Sequence, residues 1–282
     1  MHRLMPLTVR QWVTSRELDQ NYLKEALLLL SNNFPSGEHD TFDICAAFEP
    51  HAVKVIQIVS ASDVDVPARA KLQTNLAWYW FKRNRWTEVE RMARDACESW
   101  KQAYGLKHRD TFRAKANLAQ ILKEEGKYEE VETISKEIVE GTKSLLGSKD
   151  KETLEAYHFL ANVYQGEGKL SLAEKMARKA LSGREKVLEP THPDIYRSQR
   201  RLANILELEG KYDAAEALIN TALMGRKALA GPSDQETLAC QYRLAFIQCA
   251  QGQYAAAEER LREAFAIQTS VYGFSNLDTR KM

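Results

Sequence analysis

Apolar and polar positions along this chain follow two nested periods. The short one is helical: in Asn117-Leu118-Ala119-x-x-Leu122 the apolar residues sit three and four apart and share one helix face. The long one is 42 residues. Leucine–alanine pairs keep it at Leu76-Ala77, Leu118-Ala119, Leu160-Ala161, Leu202-Ala203 and Leu244-Ala245, and a small or branched series keeps it at Val89, Val131, Ala173, Ala215 and Ala257. Glycines keep it too. Gly126, Gly168, Gly210 and Gly252 form one series, with Asn84 one step earlier; Gly105, Gly147, Gly231 and Gly273 form a second, with Glu189 in its gap. Registers that agree over five steps, from about residue 69 to 278, mark an internal repeat.

Each repeat predicts two helices. In the second, Asp110-Thr111 opens the first helix, Gly126-Lys127-Tyr128 turns the chain, and Glu129 to Leu145 forms the second helix, closed by Leu146-Gly147. The acidic openers Asp110, Glu152, Asp194, Glu236 and Asp278 are expected to accept hydrogen bonds from free N–H groups at each start. Gly126 and its equivalents supply the left-handed residue that ends a helix. Pro190, Pro193 and Pro232 fall in the joints, where no ladder N–H is lost. Ala119, and the row Ala173, Ala177 and Ala180, let neighbouring helices approach. One hairpin cannot bury its apolar faces alone, so hairpins must stack, and the expected fold is all-α: an α-solenoid. Its units are expected at about 67–107, 108–149, 150–191, 192–233 and 234–275, and 276–282 opens a truncated sixth.

Residues 1–66 do not keep the step. Thr8 to Asn33 reads as an amphipathic helix carrying Trp12, Leu18, Tyr22 and Leu29, followed by the turn Asn32-Asn33-Phe34-Pro35-Ser36-Gly37. A second helical stretch runs from about Thr41 to Ser60 and is expected to break at Pro50. This segment is expected to cap the open face of the first repeat. At the other end no polar capping helix follows, so the last repeat is expected to present an apolar face to a partner or to another copy.

Composition narrows the function. With 40 Lys+Arg against 39 Asp+Glu, the formal charge of +1 leaves no single-sign field to draw the chain onto nucleic acid or an anionic membrane. The longest apolar run, Ala26 to Leu30, is far shorter than the roughly 20 residues of a membrane span. Cys45, Cys97, Cys240 and Cys249 are scattered, as reduced thiols of a cytoplasmic protein would be. The run Gly141 to Lys149 lacks the spacing of a phosphate-binding loop, and no H-E-x-x-H, G-x-S-x-G or G-x-G-x-x-G occurs. His108 and His192 occupy equivalent joints, where capping is the expected role. No enzyme, cofactor or metal site is expected.

The spaced positions Leu160, Ala161, Tyr164, Gly168, Ala173, Ala177 and Ala180, and Leu202, Ala203, Leu206, Gly210, Tyr212, Ala215, Ile219 and Ala222, resemble the tetratricopeptide repeat. The 42-residue form, with His192-Pro193-Asp194 before a first helix and Arg184 to Leu188 before a joint, is similar to kinesin light chains and to the repeat tails of fungal NOD-like (STAND) receptors. Met1-His2-Arg3-Leu4…Trp12, Phe34-Pro35-Ser36-Gly37 and Phe48-Glu49-Pro50-His51-Ala52 resemble the segment joining a nucleotide-binding module to such a tail. The resemblance implies a right-handed solenoid whose first helices line a concave groove that binds a protein or peptide. The inward positions it implies are Lys71, Trp78, Lys82, Arg113, Gln120, Lys123, His158, Asn162, Gln165, Arg197, Arg200, Asn204, Tyr242 and Phe246. Their basic, amide-rich middle suits an acidic peptide, and the aromatics suit anchoring at either end. The implied functions are the ligand-sensing repeats of a fungal NOD-like receptor, a cargo or scaffold adaptor like kinesin light chain, or homo-oligomerisation through the last repeat. Neither nucleic acid nor membrane is an expected partner.

Overall fold

The computed structural model describes residues 18–36, 39–59 and 65–272. The motif at Met1 to Trp12, the helix expected from Thr8 to Glu17, Gly37, Gly273 and the sixth opening at Asp278 lie outside the described residues.

The described residues are helical throughout, with no strand among them. A first pair, α1 (Leu18–Asn33) and α2 (Phe42–Ile58), is followed by five hairpins. These are α3 (Val66–Lys82) with α4 (Trp86–Tyr104), α5 (Arg109–Glu124) with α6 (Tyr128–Leu146), and α7 (Lys151–Gly166) with α8 (Leu170–Val187). The last two are α9 (Pro193–Leu208) with α10 (Tyr212–Ala230), and α11 (Gln235–Ala250) with α12 (Tyr254–Tyr272). No helix among the described residues is long and apolar enough to cross a membrane. The chain divides into two compact units inside α6, between Ile134 and Ser135.

In the first unit α3 packs against α4, α5 packs against both, and α1 and α2 lie against α3. Tyr79 joins them: Phe34 meets its ring edge-on at 6.2 Å and Phe42 at 5.7 Å. Trp80 Nε1 donates to Glu49 Oε1 at 2.8 Å, and the same carboxylate pairs with Arg85. The break expected at Pro50 is absent. α2 runs through it from Phe42 to Ile58, so the helix tolerates one missing N–H donor where packing against α1 and α3 holds both halves in line.

In the second unit α7 pairs with α8, α9 with α10 and α11 with α12; α8 also packs on α9, α10 on α11, and α9 on α11. Small residues sit at the crossings. Ala161, Ala203 and Ala245 are fully buried, as are Ala173, Ala215 and Ala257 in the second helices, while Leu160, Leu202 and Leu244 fill the space between. At its crossing with α9, α10 carries Gly225: a β-carbon there would run into the ring of Tyr196. One repeat earlier, Gly183 stands in the same relation to Leu154.

The turns follow the glycine series. Gly126, Gly168, Gly210 and Gly252 have φ of 77, 73, 76 and 80°, and Asn84, at the same register, has φ 56°. At the starts of the helices His108 and His192 cap as expected, while the acids differ from expectation. The capping side chain sits two residues before the acidic opener: His108 Nδ1 accepts from the Asp110 N–H (3.3 Å), Asp150 from Glu152 (2.8 Å) and His192 Nδ1 from Asp194 (3.1 Å). Asp234 accepts from Thr237 N–H at 3.0 Å. Asp110, Glu152, Asp194 and Glu236 lie inside the first helical turn, a position that complements the helix dipole.

Candidate functional site

The expected binding residues lie on the first helices of the hairpins, and the two units carry separate sets. On α3, Trp78 stacks on Phe81 with ring centres 5.1 Å apart, and the Lys82 ammonium lies 5.0 Å over the Trp78 ring. Phe81 in turn meets Trp86 edge-on at 5.7 Å, so this end is an aromatic cluster with a cationic rim. Lys71 is exposed. On α5, Arg113 is exposed, Gln120 Nε2 donates to Glu124 Oε1 at 3.3 Å, and Lys123 lies 3.8 Å from the same carboxylate.

The second set is denser and more charged. His158, Asn162 and Gln165 follow one another at helical spacing along one face of α7. Arg197, Arg200 and Arg201 project from α9, with half-buried Asn204 on the same helix. Each of the two expected arginines is tied to a carboxylate of a neighbouring repeat. Arg197 bonds Glu155 at 2.7 Å and lies 3.2 Å from Asp194; Arg200 bonds Glu236 at 3.0 Å. Exposed pairs of this kind contribute about 0–1 kcal/mol each, so they order the arginines without making them costly to re-pair. Arg184, only 3% exposed, donates to Ser198 Oγ at 2.5 Å and pairs with Glu155. On α11, the Tyr242 hydroxyl donates to Gln268 Oε1 at 2.6 Å, while Phe246 is 49% exposed beneath the Arg243 guanidinium.

His158 differs from the surface residue expected. It is 6% exposed, and its Nδ1 has no hydrogen-bond partner. Burial first, then the charges of Arg201, Arg184, Arg197 and Arg200, push its imidazole down to about 2, so it is neutral at physiological pH. Burial, with Arg200, Arg243 and Arg197 adding to it, likewise brings Arg201 down to about 10. Three further polar atoms on this face are buried without partners: Asn162 Oδ1, Arg197 Nε and Arg200 Nε.

Three residues escaped the sequence reading. Arg201, Arg243 and Arg184 all face this cluster, and the first two follow from a rule visible only with the helices placed. A side chain of one first helix can meet the residue 36 positions away on its neighbour, as in Arg243 with Glu207 and Arg200 with Glu236, whereas Arg197 meets Glu155 at 42. Among the described residues no group of three His, Cys, Asp or Glu side chains stands ready to hold a metal.

Comparison with known proteins agrees with this architecture. A nucleotide-binding leucine-rich repeat (NLR)-like protein of Hyaloscypha variabilis (strain UAMH 11265 / GT02V1 / F) is 32% identical over 112 residues, 39% of this chain but only 11% of that relative. A solved Podosopora anserina chain of nearly identical TPR-like repeats, assigned to the kinesin light chains, superposes with a TM-score of 0.65 at 22% identity, covering 77% of this chain and 99% of that one. A Rap protein solved with competence and sporulation factor superposes at 0.54 and 16% identity, over 82% of this chain and 71% of its own. Models of the tetratricopeptide repeat match residues 69–110, 110–186, 152–228 and 194–270, so the chain belongs to the tetratricopeptide-repeat family of helical protein-interaction modules.

Proposed function

We propose that the first helices of this chain form a peptide-binding groove, and that the ligand is an acidic segment. The observation that carries the reading is the α7–α9 face, where Asn162 and the Arg197 and Arg200 side chains hold polar atoms that no protein group satisfies. Amides there suit the backbone of an extended peptide, and forked guanidinium groups suit its carboxylates. In the second unit Tyr242 and Phe246 serve as apolar anchors beside that face, and in the first unit Trp78 and Phe81 offer an anchor of their own. The repeats work as the five 42-residue units the sequence delimits, with residues 1–66 as their cap. Titration of the full chain with an acidic peptide library tests the groove. Arg197→Glu combined with Arg200→Glu is expected to abolish binding of the hits; unchanged affinity for every hit overturns the assignment.

The biological setting proposed is the cytoplasmic ligand-sensing tail of a fungal NOD-like receptor, a reading supported by the NLR-like relative. Sequencing the full-length transcript tests it, since an upstream P-loop module is the expected result. Likeness to the kinesin-light-chain-type repeats supports a second reading, a cargo or scaffold adaptor, for which an upstream heptad region is expected instead. Self-association through α12 is a third, supported by Tyr254 and Val271 standing 70% and 53% exposed on that helix. Light scattering that shows a strict monomer at high concentration removes it.

A further inference from the structure

We propose that the cavity at the junction of α2, α3 and α4 binds a free α-amino acid with an aliphatic side chain, its carboxylate on Arg69 and its ammonium on Asp95. None of the residues lining this cavity is among the expected binding residues, so the site is independent of the groove reading.

The 42-residue register explains the cavity. Position 69 becomes Thr111, Thr153, Ile195 and Thr237 in the later repeats, and all four are buried. Thr111 Oγ1 donates to the Gly105 carbonyl just past α4, at 2.8 Å, so this position faces the last turn of the preceding second helix. α4 ends at Tyr104, one 42-residue step after position 62, but α2 ends at Ile58 and Val59 is already extended. The helix stops a turn short, and an arginine stands where the other repeats bury a threonine or isoleucine. Beside it lies a cavity of about 490 Å³, within the range of small-molecule sites.

Arg69 is only 8% exposed, and its Nε has no hydrogen-bond partner. Its Nη2 donates to Gln102 Oε1 at 3.2 Å, a neutral amide. Gln73 Oε1 is occupied by the Ser99 hydroxyl at 2.8 Å, and Asp65, one turn earlier, accepts from the Ala68 N–H at 3.1 Å. Among the described residues no carboxylate forms an ion pair with Arg69. A guanidinium held out of water without a counter-charge is costly, and a carboxylate relieves it.

The acids of α4 decide what that carboxylate can belong to. Asp95 and Glu98 line the same cavity. Glu98 pairs with Lys101 at 3.0 Å; Asp95 is exposed and pairs with no cation among the described residues, Arg91 one turn before it included. One cation and one anion therefore remain at the cavity without partners, the reverse of the two charges on an amino acid. A bare anion approaching Arg69 meets two acids, whereas a zwitterion brings them a positive charge. Ile56 and Val59 complete the wall and suit an aliphatic side chain.

The test titrates the full chain at fixed ionic strength, with calorimetry for affinity and arginine Nε–Hε NMR for place. The probes are leucine, N-acetyl-leucine (no ammonium), leucinamide (no carboxylate) and glycine (no side chain). The Arg69 resonance, assigned by its loss in Arg69→Thr, is expected to shift and saturate with leucine. The other three probes should bind about tenfold weaker or less. Arg69→Thr carries the residue the register uses elsewhere, so it is expected to keep its melting temperature and lose leucine binding. Asp95→Asn, at an exposed position, keeps the test open if that variant unfolds. It should weaken leucine about two- to fivefold and strengthen N-acetyl-leucine. Leucine heats that persist in a folded Arg69→Thr overturn the site, as does equal affinity for leucine and N-acetyl-leucine. So does an Arg69 resonance that leucine fails to move at about 100 mM. An unchanged preference in Asp95→Asn overturns the two-charge recognition.

Discussion

The ring of Tyr196 in α9 lies directly over the bare backbone of Gly225 in α10, in the space a β-carbon would occupy. The aromatic ring is too stiff to yield locally, so Gly225→Ala is expected to displace it. Overpacking costs about 1–3 kcal/mol, and alanine recovers about 1 kcal/mol of helix propensity. A net loss of up to about 2 kcal/mol in urea denaturation is the expected outcome. Gly183→Ala meets the flexible tip of Leu154 instead and should be nearly neutral. Equal effects at the two sites would contradict this account of the crossing.

Asn84 is the single non-glycine with positive φ among the described residues, and it ends α3 where later repeats use glycine. Asn84→Gly should leave stability unchanged or raise it slightly, because the left-handed conformation loses its Cβ clash. Asn84→Ala should cost about 1 kcal/mol. Thermal melts of the two variants beside the parent decide it.

His158 makes stability depend on pH in a defined window. Unfolded, the imidazole takes up a proton near pH 6.5; folded, it resists protonation down to about 2. Below pH 6.5 the unfolded chain therefore binds a proton that the folded chain refuses. Stability should fall by up to about 1.4 kcal/mol per pH unit from this group. Glu174, held down at about 2 chiefly by its hydrogen bond from Lys211, acts in the same direction but only below about pH 4.5. Unfolding measured between pH 6.5 and 4.5 thus isolates the histidine. His158→Gln should flatten that segment, and a slope that persists in the variant would assign it elsewhere.

The thiols should react in a fixed order. Burial pushes Cys97 up to about 12 and Cys240 up to about 11, so neither supplies thiolate at pH 8. Cys249 on α11 is partly buried, as is Cys97 on α4, while Cys240 is buried. Iodoacetamide labelling of the native chain followed by peptide mapping should find Cys249 modified well before Cys97 and Cys240.

The residues that were legible in advance are those whose role is local. A left-handed turn needs glycine or asparagine at a given place, and a close crossing needs alanine. Both demands repeat every 42 residues, so the turns, the helix pairs and the small-residue rows could be read directly. Asp110 and Asp194 were misread because a capping residue and a dipole-complementing residue both favour acids. The side chain that accepts the bond is the histidine two positions earlier. Pro50 was misread because a local rule was applied where tertiary packing wins. Arg201 and the burial of His158 were invisible for a deeper reason. Which residue faces which is set by how neighbouring helices pack, 36 positions apart for Arg200, Arg201 and Arg243 and 42 for Arg197, and those offsets belong to the packing rather than to any one segment.

Each hairpin carries its own start signal, its own turn and the same mating surfaces on both flanks. A stretch of 42 residues is therefore a portable length of chain. Recombination between two similar stretches could add or remove one hairpin while leaving every remaining crossing intact. Heredity can thus change the reach of such a protein in whole steps.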